Sequence, residues 1–278
     1  MDVYEEVTNR ILTALENGVA PWAKPWEGGD TFSAISHATG KAYSFMNQLL
    51  LGKPGEYLTF NQVKEAGGKV KKGAKSKMVV FWKWIEKKED PTDPEKVTSS
   101  IPFLRYFNVF HIDDVEGVKP KWGDKGKRFE TSPIEAGEKV FTDYTTREGI
   151  TVSIGDSAQA YYRPSTDTIR LPGLDQFKEA SEYYSTAFHE ATHSTGHEKR
   201  LNRLSKQAAF GDDYSKEELV AELGSCFICA TLGIDTDTSF RNSAAYLNGW
   251  LSALANDRKL IVSAAGAAEK AANLILNK

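Results

Sequence analysis

Three of the five histidines of this chain lie within nine positions, in the stretch AFHEATHSTGHEKRLNR at residues 187–203. His189, Glu190 and His193 form the pattern H-E-x-x-H. On a helix, residues four apart share one face, so both imidazoles can bind one Zn²⁺ at about 2.0–2.1 Å. Glu190 can then take a proton from a metal-bound water as that water attacks a carbonyl. The pattern predicts a metal site that hydrolyses amide bonds, and the alternative is a solvated helix face that matches by chance.

A catalytic zinc site also needs a third protein ligand and an open coordination position. The stretch YSKEELVAELGSCF at residues 214–227 predicts a second helix with one buried face. The apolar positions of that face are Leu219, Leu223, Phe227 and Ala230. At about 100° per residue, Glu218 and Glu222 flank one edge of the face, while Glu217 points away from it. Glu218 is the expected third ligand, and Glu222 is expected either to hold a ligating histidine or to replace Glu218.

Two other features compete with this assignment. Ser215 followed by Glu218 is a capping box, which would hold the Glu218 carboxylate on a backbone N–H group. His197 lies four residues after His193, but Gly196 is expected to end the helix between them. The metzincin pattern would place the third histidine two positions later. His197 is therefore expected to be structural or to contact a ligand.

Length and composition place this site in a chain of two domains. The 278 residues exceed one compact core, and 40% hydrophobic with 26% charged residues is typical of a soluble globular protein. The patterning predicts an α+β domain at 1–125, then a mostly helical domain at 126–278 with a small antiparallel sheet. Residues 113–133 lack apolar periodicity and form the predicted linker. Cys226 and Cys229, three apart on an apolar helix, are expected to be buried core residues.

Signals of export and membrane insertion are absent from the sequence. No apolar run approaches the roughly 18 residues of a membrane helix. The acidic stretch MDVYEEVTNRIL at residues 1–12 does not have the pattern of a secretory signal. A cytoplasmic location without membrane contact is the expectation.

A strongly basic segment lies in the first half. Residues 64–88 contain nine lysines against two glutamates, a local charge of +7. A glycine-rich basic turn beside aromatic residues is typical of proteins that bind single strands, where lysines contact phosphates and rings stack on bases. The candidates are Lys69, Lys71, Lys72, Lys75, Lys77, Trp82 and Trp84. The alternative is a solvated β-hairpin with both tryptophans in the core.

The sequence as a whole resembles the ArdC-type antirestriction proteins of conjugative plasmids. The resemblance covers nearly the whole chain. In the first half it rests on PWAKPW, TGKAYSFMNQLLL, YLTFNQVKEAGGKVKKGAKS and YFNVFHIDDVEG. In the second half it rests on AYYRPSTDTIRLPGLDQF, YYSTAFHEATHSTGHEKRLNR and YSKEELVAELG. It implies an N-terminal single-stranded-DNA-binding domain and a C-terminal zincin-like metallopeptidase domain.

The resemblance also implies roles for individual residues. The family's metal ligands match His189 and His193, and its general base matches Glu190. Glu218 matches the glutamate of the E-x-x-x-D or E-x-x-x-N pattern of similar zincins, and Glu222 stands in place of the Asp or Asn. The longer Glu222 side chain changes the contacts around the ligands, not the ligands themselves. One Zn²⁺ per chain is expected, or another divalent metal.

Two functions are compatible with these features. In the first, the protein is a metallopeptidase that single-stranded DNA directs to a DNA-associated host protein. In the second, it protects incoming DNA by binding alone, and the metal site is structural or regulatory. An intact Glu190 favours the first, since a structural zinc needs no general base. No carboxylate cluster suited to two-metal chemistry stands out, which argues against a nuclease or primase.

The segment DTIRLP at residues 167–172 suggests where a peptide substrate would bind. It precedes the predicted metal helix, and it has the alternation and length of a strand. An extended peptide can add to an exposed sheet edge through backbone hydrogen bonds. Ile169 to Leu171 are therefore expected to lie at such an edge.

Overall fold

The structure is a computed structural model that describes residues 3–16, 34–88, 97–122, 133–155, 159–204, 214–234, 253–257 and 259–278. Side chains are described in these ranges except at 14, 16, 82–88, 97–104, 133, 214 and 215. The chain forms two α+β parts, as the sequence predicts.

The first half is built on a four-stranded sheet with the strand order β1-β2-β5-β4. β1 pairs parallel with β2, and the other neighbouring strands are antiparallel. The strands are β1 (Ala34–Ser36), β2 (Gly55–Thr59), β4 (Lys77–Lys88) and β5 (Val97–His111). A two-stranded sheet pairs β3 (Lys69–Val70) with β6 (Val115–Glu116). The helices are α1 (Val3–Glu16), α2 (Phe45–Leu51) and α3 (Phe60–Glu65).

The basic segment begins at the end of α3, a short helix with well-defined ends. Thr59 accepts a hydrogen bond from the backbone N–H of Gln62, and its own N–H donates to the Gln62 side chain. This reciprocal capping box satisfies two N–H groups that the helix leaves unpaired. Gly67, at a φ of 76°, turns the chain into the exposed lysine-rich stretch at residues 64–77, which we call the lysine-rich loop. A left-handed conformation costs glycine little.

The second half combines helices with a three-stranded sheet of the order β7-β9-β8. The strands are β7 (Thr151–Ile154), β8 (Tyr161–Arg163) and β9 (Thr168–Leu171). The helices are α4 (Pro133–Glu148), α5 (Ala180–Thr195), α6 (Tyr214–Leu232) and α7 (Leu260–Ile275). β8 and β9 are antiparallel, but β7 runs parallel to β9. The sequence predicted a small antiparallel sheet. The sheet is instead mixed, because β7 is parallel to β9.

The prediction of a peptide-binding edge at Ile169–Leu171 is wrong. These residues belong to β9, which pairs with β7 on one side and with β8 on the other. Both Ile169 and Leu171 are buried in the core of this half. Alternation of apolar residues distinguishes the two faces of a sheet but not its middle from its edge. Among the described strands, the edge on the α5 side is β8.

One apolar cluster, which we call the shared core, joins the two halves. The first half contributes Val7, Ile11, Leu15, Phe45, Met46, Leu49, Met78 and Val80. The second half contributes Leu219, Val220, Leu223, Cys226, Leu254, Leu260, Ile261, Ala264, Ala265 and Ala268. The ring of Phe45 in this core lies 4.9 Å, centroid to centroid, from the ring of the partly buried Phe227, which packs against it. Cys226 and Cys229 are buried free thiols, which confirms the core prediction.

The first part of the predicted linker, residues 113–133, is folded onto the first half. Its first residues form a 3₁₀ turn and β6, and they pack in the first half. The backbone N–H groups of Lys121 and Trp122 donate to the Glu56 carboxylate, and the Trp122 indole donates to the His37 carbonyl. The predicted boundary at 125/126 lies outside the described residues and stays a prediction. Across the described ranges, no helix is both long and apolar enough to cross a membrane.

Candidate metal centre

His189, His193 and Glu218 converge where α5 packs against α6. The Nε2 atoms of the two histidines lie 3.2 Å apart. The Glu218 carboxylate lies across from them, with one oxygen 3.4 Å from Nε2 of His189 and the other 3.4 Å from Nε2 of His193. Within the described part of the chain, these residues form a group able to hold a metal ion.

The spacing of these donors fits a single divalent ion. Two ligands at about 2.0–2.1 Å from a tetrahedral ion are roughly 3.3–3.4 Å from each other, close to the separations measured here. Two imidazoles and one carboxylate form the donor set of a catalytic zinc site, which keeps one position open for water or substrate. The residues present therefore fit a catalytic metal centre.

Glu190 lies beside this group on α5, and its side chain is buried. It is 7% exposed, although a carboxylate on a helix surface normally faces water. The backbone N–H of Tyr162 in β8 lies near its carboxylate and favours the ionised form. Burial raises the pKa of Glu190 above its ordinary value, and the nearby His189 and His193 only partly oppose this effect. A carboxylate with a raised pKa is a stronger base than an ordinary one, which suits a general base.

Each histidine has a carboxylate near its other ring nitrogen. Nδ1 of His189 lies 3.6 Å from Glu222, and Nδ1 of His193 lies 3.6 Å from Glu217. Carboxylates in this position fix the orientation of a ligating imidazole and increase its basicity. The expectation that Glu217 points away is wrong: its side chain turns toward α5, where Arg203 holds it.

The loop after α5 folds back onto the metal helix through two arginines. Arg203 donates to the Thr192 carbonyl at 2.9 Å and to the Thr195 hydroxyl at 2.8 Å, and it also binds Glu217 on α6. Arg200 donates to the Ser194 carbonyl at 2.7 Å and binds Asp167 in the turn between β8 and β9. The two arginines therefore connect the end of the metal helix to α6 and to β8–β9.

A glycine allows the metal-bearing helices to approach closely. A Cβ atom at Gly224 of α6 would lie 2.6 Å from the Thr192 methyl group of α5, closer than carbon atoms approach in folded proteins. The next residue, Ser225, donates to the Ser185 carbonyl at 2.6 Å. Only a residue without a side chain fits this crossing, and the crossing places Glu218 opposite both histidines.

Electrostatic pairing in this group shifts the pKa values of its members. Burial alone lowers the pKa of His189, but Glu218 and Glu222 outweigh it and raise the pKa to about 10. Burial raises the pKa of Glu218, whereas the two histidines together hold it well below its ordinary value. In the metal-free protein near neutral pH, His189 is therefore protonated and Glu218 is ionised.

His197 and Ser215 are the residues of the two competing assignments. His197 lies after the helix end and outside the group that could hold a metal, and its Nδ1 accepts a hydrogen bond from the backbone N–H of Lys199. The Glu218 carboxylate faces His189 and His193. The side chain of Ser215, its partner in the alternative capping box, lies outside the described side chains.

The predicted DNA-binding lysines lie on the surface of the first half. Lys69, Lys71, Lys72, Lys75 and Lys77 are all exposed. The Lys71 ammonium donates to the Asp113 carbonyl at 2.7 Å, and Lys69 lies opposite Glu116 in the β3–β6 pair. Trp82 and Trp84 belong to β4, but their side chains are not among those described. Sequence reasoning did not single out two exposed aromatic residues, Phe81 within the basic segment and Phe107 on the neighbouring strand β5.

The fold of the second half and its site define a zincin-like metallopeptidase domain, and a family model of that description matches residues 139–267. A second model, the N-terminal domain of anti-restriction factor ArdC, matches residues 1–110. The crystal structure of the antirestriction protein ArdC from plasmid R388 is 34% identical, with a TM-score of 0.76 and coverage of 99% of this chain and 97% of that chain. The chain belongs to the ArdC antirestriction family.

Other relatives place the same unit in different contexts. The Mn(II)-bound structure of R388 ArdC superposes with a TM-score of 0.77. An uncharacterized protein, y4eC of Sinorhizobium fredii, is 32% identical over 98% of this chain and 91% of its own length. Two Escherichia coli proteins named DNA primase TraC are 35% and 32% identical. This chain spans 27% and 20% of their lengths.

Proposed function

We propose that this protein is a single-stranded-DNA-binding antirestriction protein whose second half is a zinc-dependent peptidase acting on a DNA-associated protein. The observation that carries the proposal is the buried Glu190 beside His189, His193 and Glu218. A structural zinc site usually has four protein ligands and needs no base, whereas three ligands with an adjacent carboxylate are typical of hydrolytic centres.

In the proposed reaction, His189, His193 and Glu218 hold the metal and Glu190 moves the proton. The bound ion supplies Lewis-acid chemistry, which activates a water and polarises the scissile carbonyl. Glu190 accepts a proton from the attacking water as the new C–O bond forms, and it then delivers this proton to the leaving nitrogen as the C–N bond breaks. Burial of Glu190 supports the first transfer, because a raised pKa makes the carboxylate a stronger base toward the attacking water.

The substrate peptide is proposed to bind along β8. This strand is the edge of the described sheet next to α5, and its Tyr162 N–H lies near the Glu190 carboxylate. A peptide extended beside such an edge gains backbone hydrogen bonds and is held close to the metal group. Arg200 supports β8 by binding both Asp167 and the Tyr162 hydroxyl.

The first half is proposed to bind single-stranded DNA through its lysine-rich loop. Residues 64–77 carry six exposed lysines and one glutamate, and neutralisation of phosphates by such a cluster releases counterions. Binding would therefore weaken steeply with added salt and show little sequence preference. A cytoplasmic location is proposed together with this activity.

Two substitutions in the metal group test the peptidase half of the proposal. Glu190→Gln is expected to retain metal and DNA binding but to lose peptide hydrolysis and protection of transferred DNA, since Glu190 is a base and not a ligand. His189→Ala is expected to lose the metal as well. Metal content, single-strand affinity and protection are measured side by side. Full protection by Glu190→Gln would mean that binding alone protects the DNA, and the peptidase proposal would be rejected.

The DNA-binding half is tested by anisotropy titrations at several salt concentrations. The double variant Lys72→Glu, Lys75→Glu is expected to lower affinity and to flatten the dependence on log salt. Lys270→Glu, an exposed lysine on α7 in the second half, is the matched control and should leave both unchanged. An affinity independent of salt in the wild type would contradict this half.

A further inference from the structure

Two exposed phenylalanines lie side by side on one face of the β4–β5 pair. Phe81 is 55% exposed and Phe107 is 46% exposed. In the antiparallel register, Phe81 lies opposite Arg105 and Val79 lies opposite Phe107. Residues directly opposite point to the same face, as do residues two apart on one strand. The two rings are therefore diagonal neighbours on a single face, which we call the aromatic face.

The aromatic face adjoins a packed apolar cluster on the same face of the sheet. Val79 and Val109 lie on the same face and are buried, together with Tyr57 and Leu51. The other face of β4 carries Met78 and Val80, which pack in the shared core. The strands that present Phe81 and Phe107 are thus held from both sides. A pair of rings on such a rigid support loses little conformational entropy when it binds a flat partner.

Two positively charged residues, Arg105 and Lys77, share the aromatic face with the two rings. Arg105 lies directly opposite Phe81, and Lys77 lies on the same face of β4 next to Val79 and Phe81 in the alternation. The exposed Lys72 and Lys75 lie in the loop that leads into β4. Aromatic rings flanked by cations match the chemistry of a single strand, whose bases stack on rings while its phosphates meet the charges.

We propose that Phe81 and Phe107 are the residues on which the bases of single-stranded DNA stack. The proposal rests on the DNA-binding function proposed above and assigns the base contacts to the aromatic face, whereas the lysine-rich loop contacts phosphates. A protein partner or a second copy of this chain would more often bind an apolar patch with few charges at its centre. The charge around the rings favours the polyanion.

The experiment compares two labelled oligonucleotides of equal length, one of dT and one of abasic sugar–phosphate units, titrated with the full chain. The wild type should bind dT more tightly than the abasic strand. Phe81→Ala and Phe107→Ala should each weaken dT binding roughly 5- to 150-fold, which corresponds to about 1–3 kcal/mol of stacking per base, and leave abasic binding unchanged. Phe81→Leu, which keeps an apolar side chain without a ring, should also lose most of the difference between the strands.

Tyr106→Ala is the matched control, because Tyr106 lies on the same strand and is 41% exposed but points to the opposite face. It should bind both strands like the wild type. If the wild type binds dT in a salt-dependent way and the phenylalanine variants match it, the stacking proposal alone is overturned. If the wild type binds neither strand, the DNA-binding function fails with it. If Phe81→Ala changes only the sedimentation behaviour, the aromatic face is a self-interface and the proposal is rejected.

Discussion

Arg203 donates to both carboxylate oxygens of Glu217, at 2.8 and 3.2 Å, and one of those oxygens lies 3.6 Å from Nδ1 of His193. The side chain of Glu217 is only 5% exposed, so its charge depends on these two partners. Burial raises the pKa of Glu217, but His193 and Arg203 together hold it below its ordinary value. Through the Arg203–Glu217 pair, the loop after α5 orients His193, which lies ten residues before Arg203 in the sequence.

Arg203→Ala is expected to weaken metal binding roughly 10- to 100-fold, the usual effect of removing a partner that orients a ligand. It should also lower the free energy of unfolding by about 3–5 kcal/mol, because the buried Glu217 carboxylate loses its bidentate partner. Competition with a chelator and denaturant titration measure the two effects. Arg10→Ala, which removes an exposed pair with Glu6 on α1, is the control and should change neither by much. Unaltered metal affinity in Arg203→Ala would refute the orienting role.

Gly224→Ala is expected to destabilise the protein by about 1–3 kcal/mol and to weaken metal binding, because the added methyl group forces α5 and α6 apart. Gly266→Ala on α7 provides the comparison, since a Cβ there meets no neighbour within 4 Å. That substitution should stabilise by about 0.5–1 kcal/mol, as alanine favours a helix over glycine. Thermal melting with and without metal measures both. Equal effects of the two changes would show that the crossing is not tight.

Metal binding is expected to release protons and to become tighter as the pH rises toward 10. His189 has a pKa raised to about 10 in the metal-free protein, so it carries a proton at neutral pH, whereas a ligating imidazole must be neutral. Calorimetric titration in buffers of different ionisation enthalpy counts the released protons. Glu222→Gln removes one cause of the raised pKa and should reduce the count at alkaline pH. A heat of binding independent of the buffer would contradict the prediction.

The same shift makes the stability of the metal-free protein depend on pH. The pKa of His189 lies above its ordinary value of 6.5, so its pairing with Glu218 and Glu222 stabilises the fold fully below about 6.5. This contribution is lost as the pH rises toward 10. The denaturant midpoint of the metal-free wild type should therefore fall over this pH range. The midpoint of the His189→Asn variant should fall less. Parallel curves for the two proteins would rule out His189 as the source.

Helical spacing identified His189, Glu190 and His193 because their relation is local to one helix. Glu217 escaped the same reasoning: the angle around its own helix does not reveal that Arg203 and His193 occupy that side. Similarly, the alternation of Ile169 and Leu171 indicated a strand but not its neighbours, which come from residues far along the chain. In β4, the run of aromatic residues predicted a surface for bases, yet only the register with β5 shows that Phe81 and Phe107 share a face.

Phe45→Ala is expected to lower the free energy of unfolding by about 3–5 kcal/mol, since Phe45 is 1% exposed and packs on Phe227 across the two halves. Calorimetry should show one cooperative transition for the wild type, with added metal raising the melting temperature of the whole chain. Phe60→Ala, at an exposed ring on α3, is the control and should cost little. Two separate transitions in the wild type would contradict the cooperative behaviour expected from the shared core.

The shared core also constrains how this unit can evolve. Leu219 and Leu223 on α6 belong to the same apolar cluster as residues of α1, α2 and β4, and Glu218 directly precedes Leu219 on that helix. A recombination event that joined the first half of one relative to the second half of another would bring together two apolar surfaces with independent histories. Such a chimera would misplace the helix of the third ligand even with every ligand present. The two halves are therefore expected to be inherited together, and the TraC relatives carry 98% of this chain as one matched block within much longer proteins.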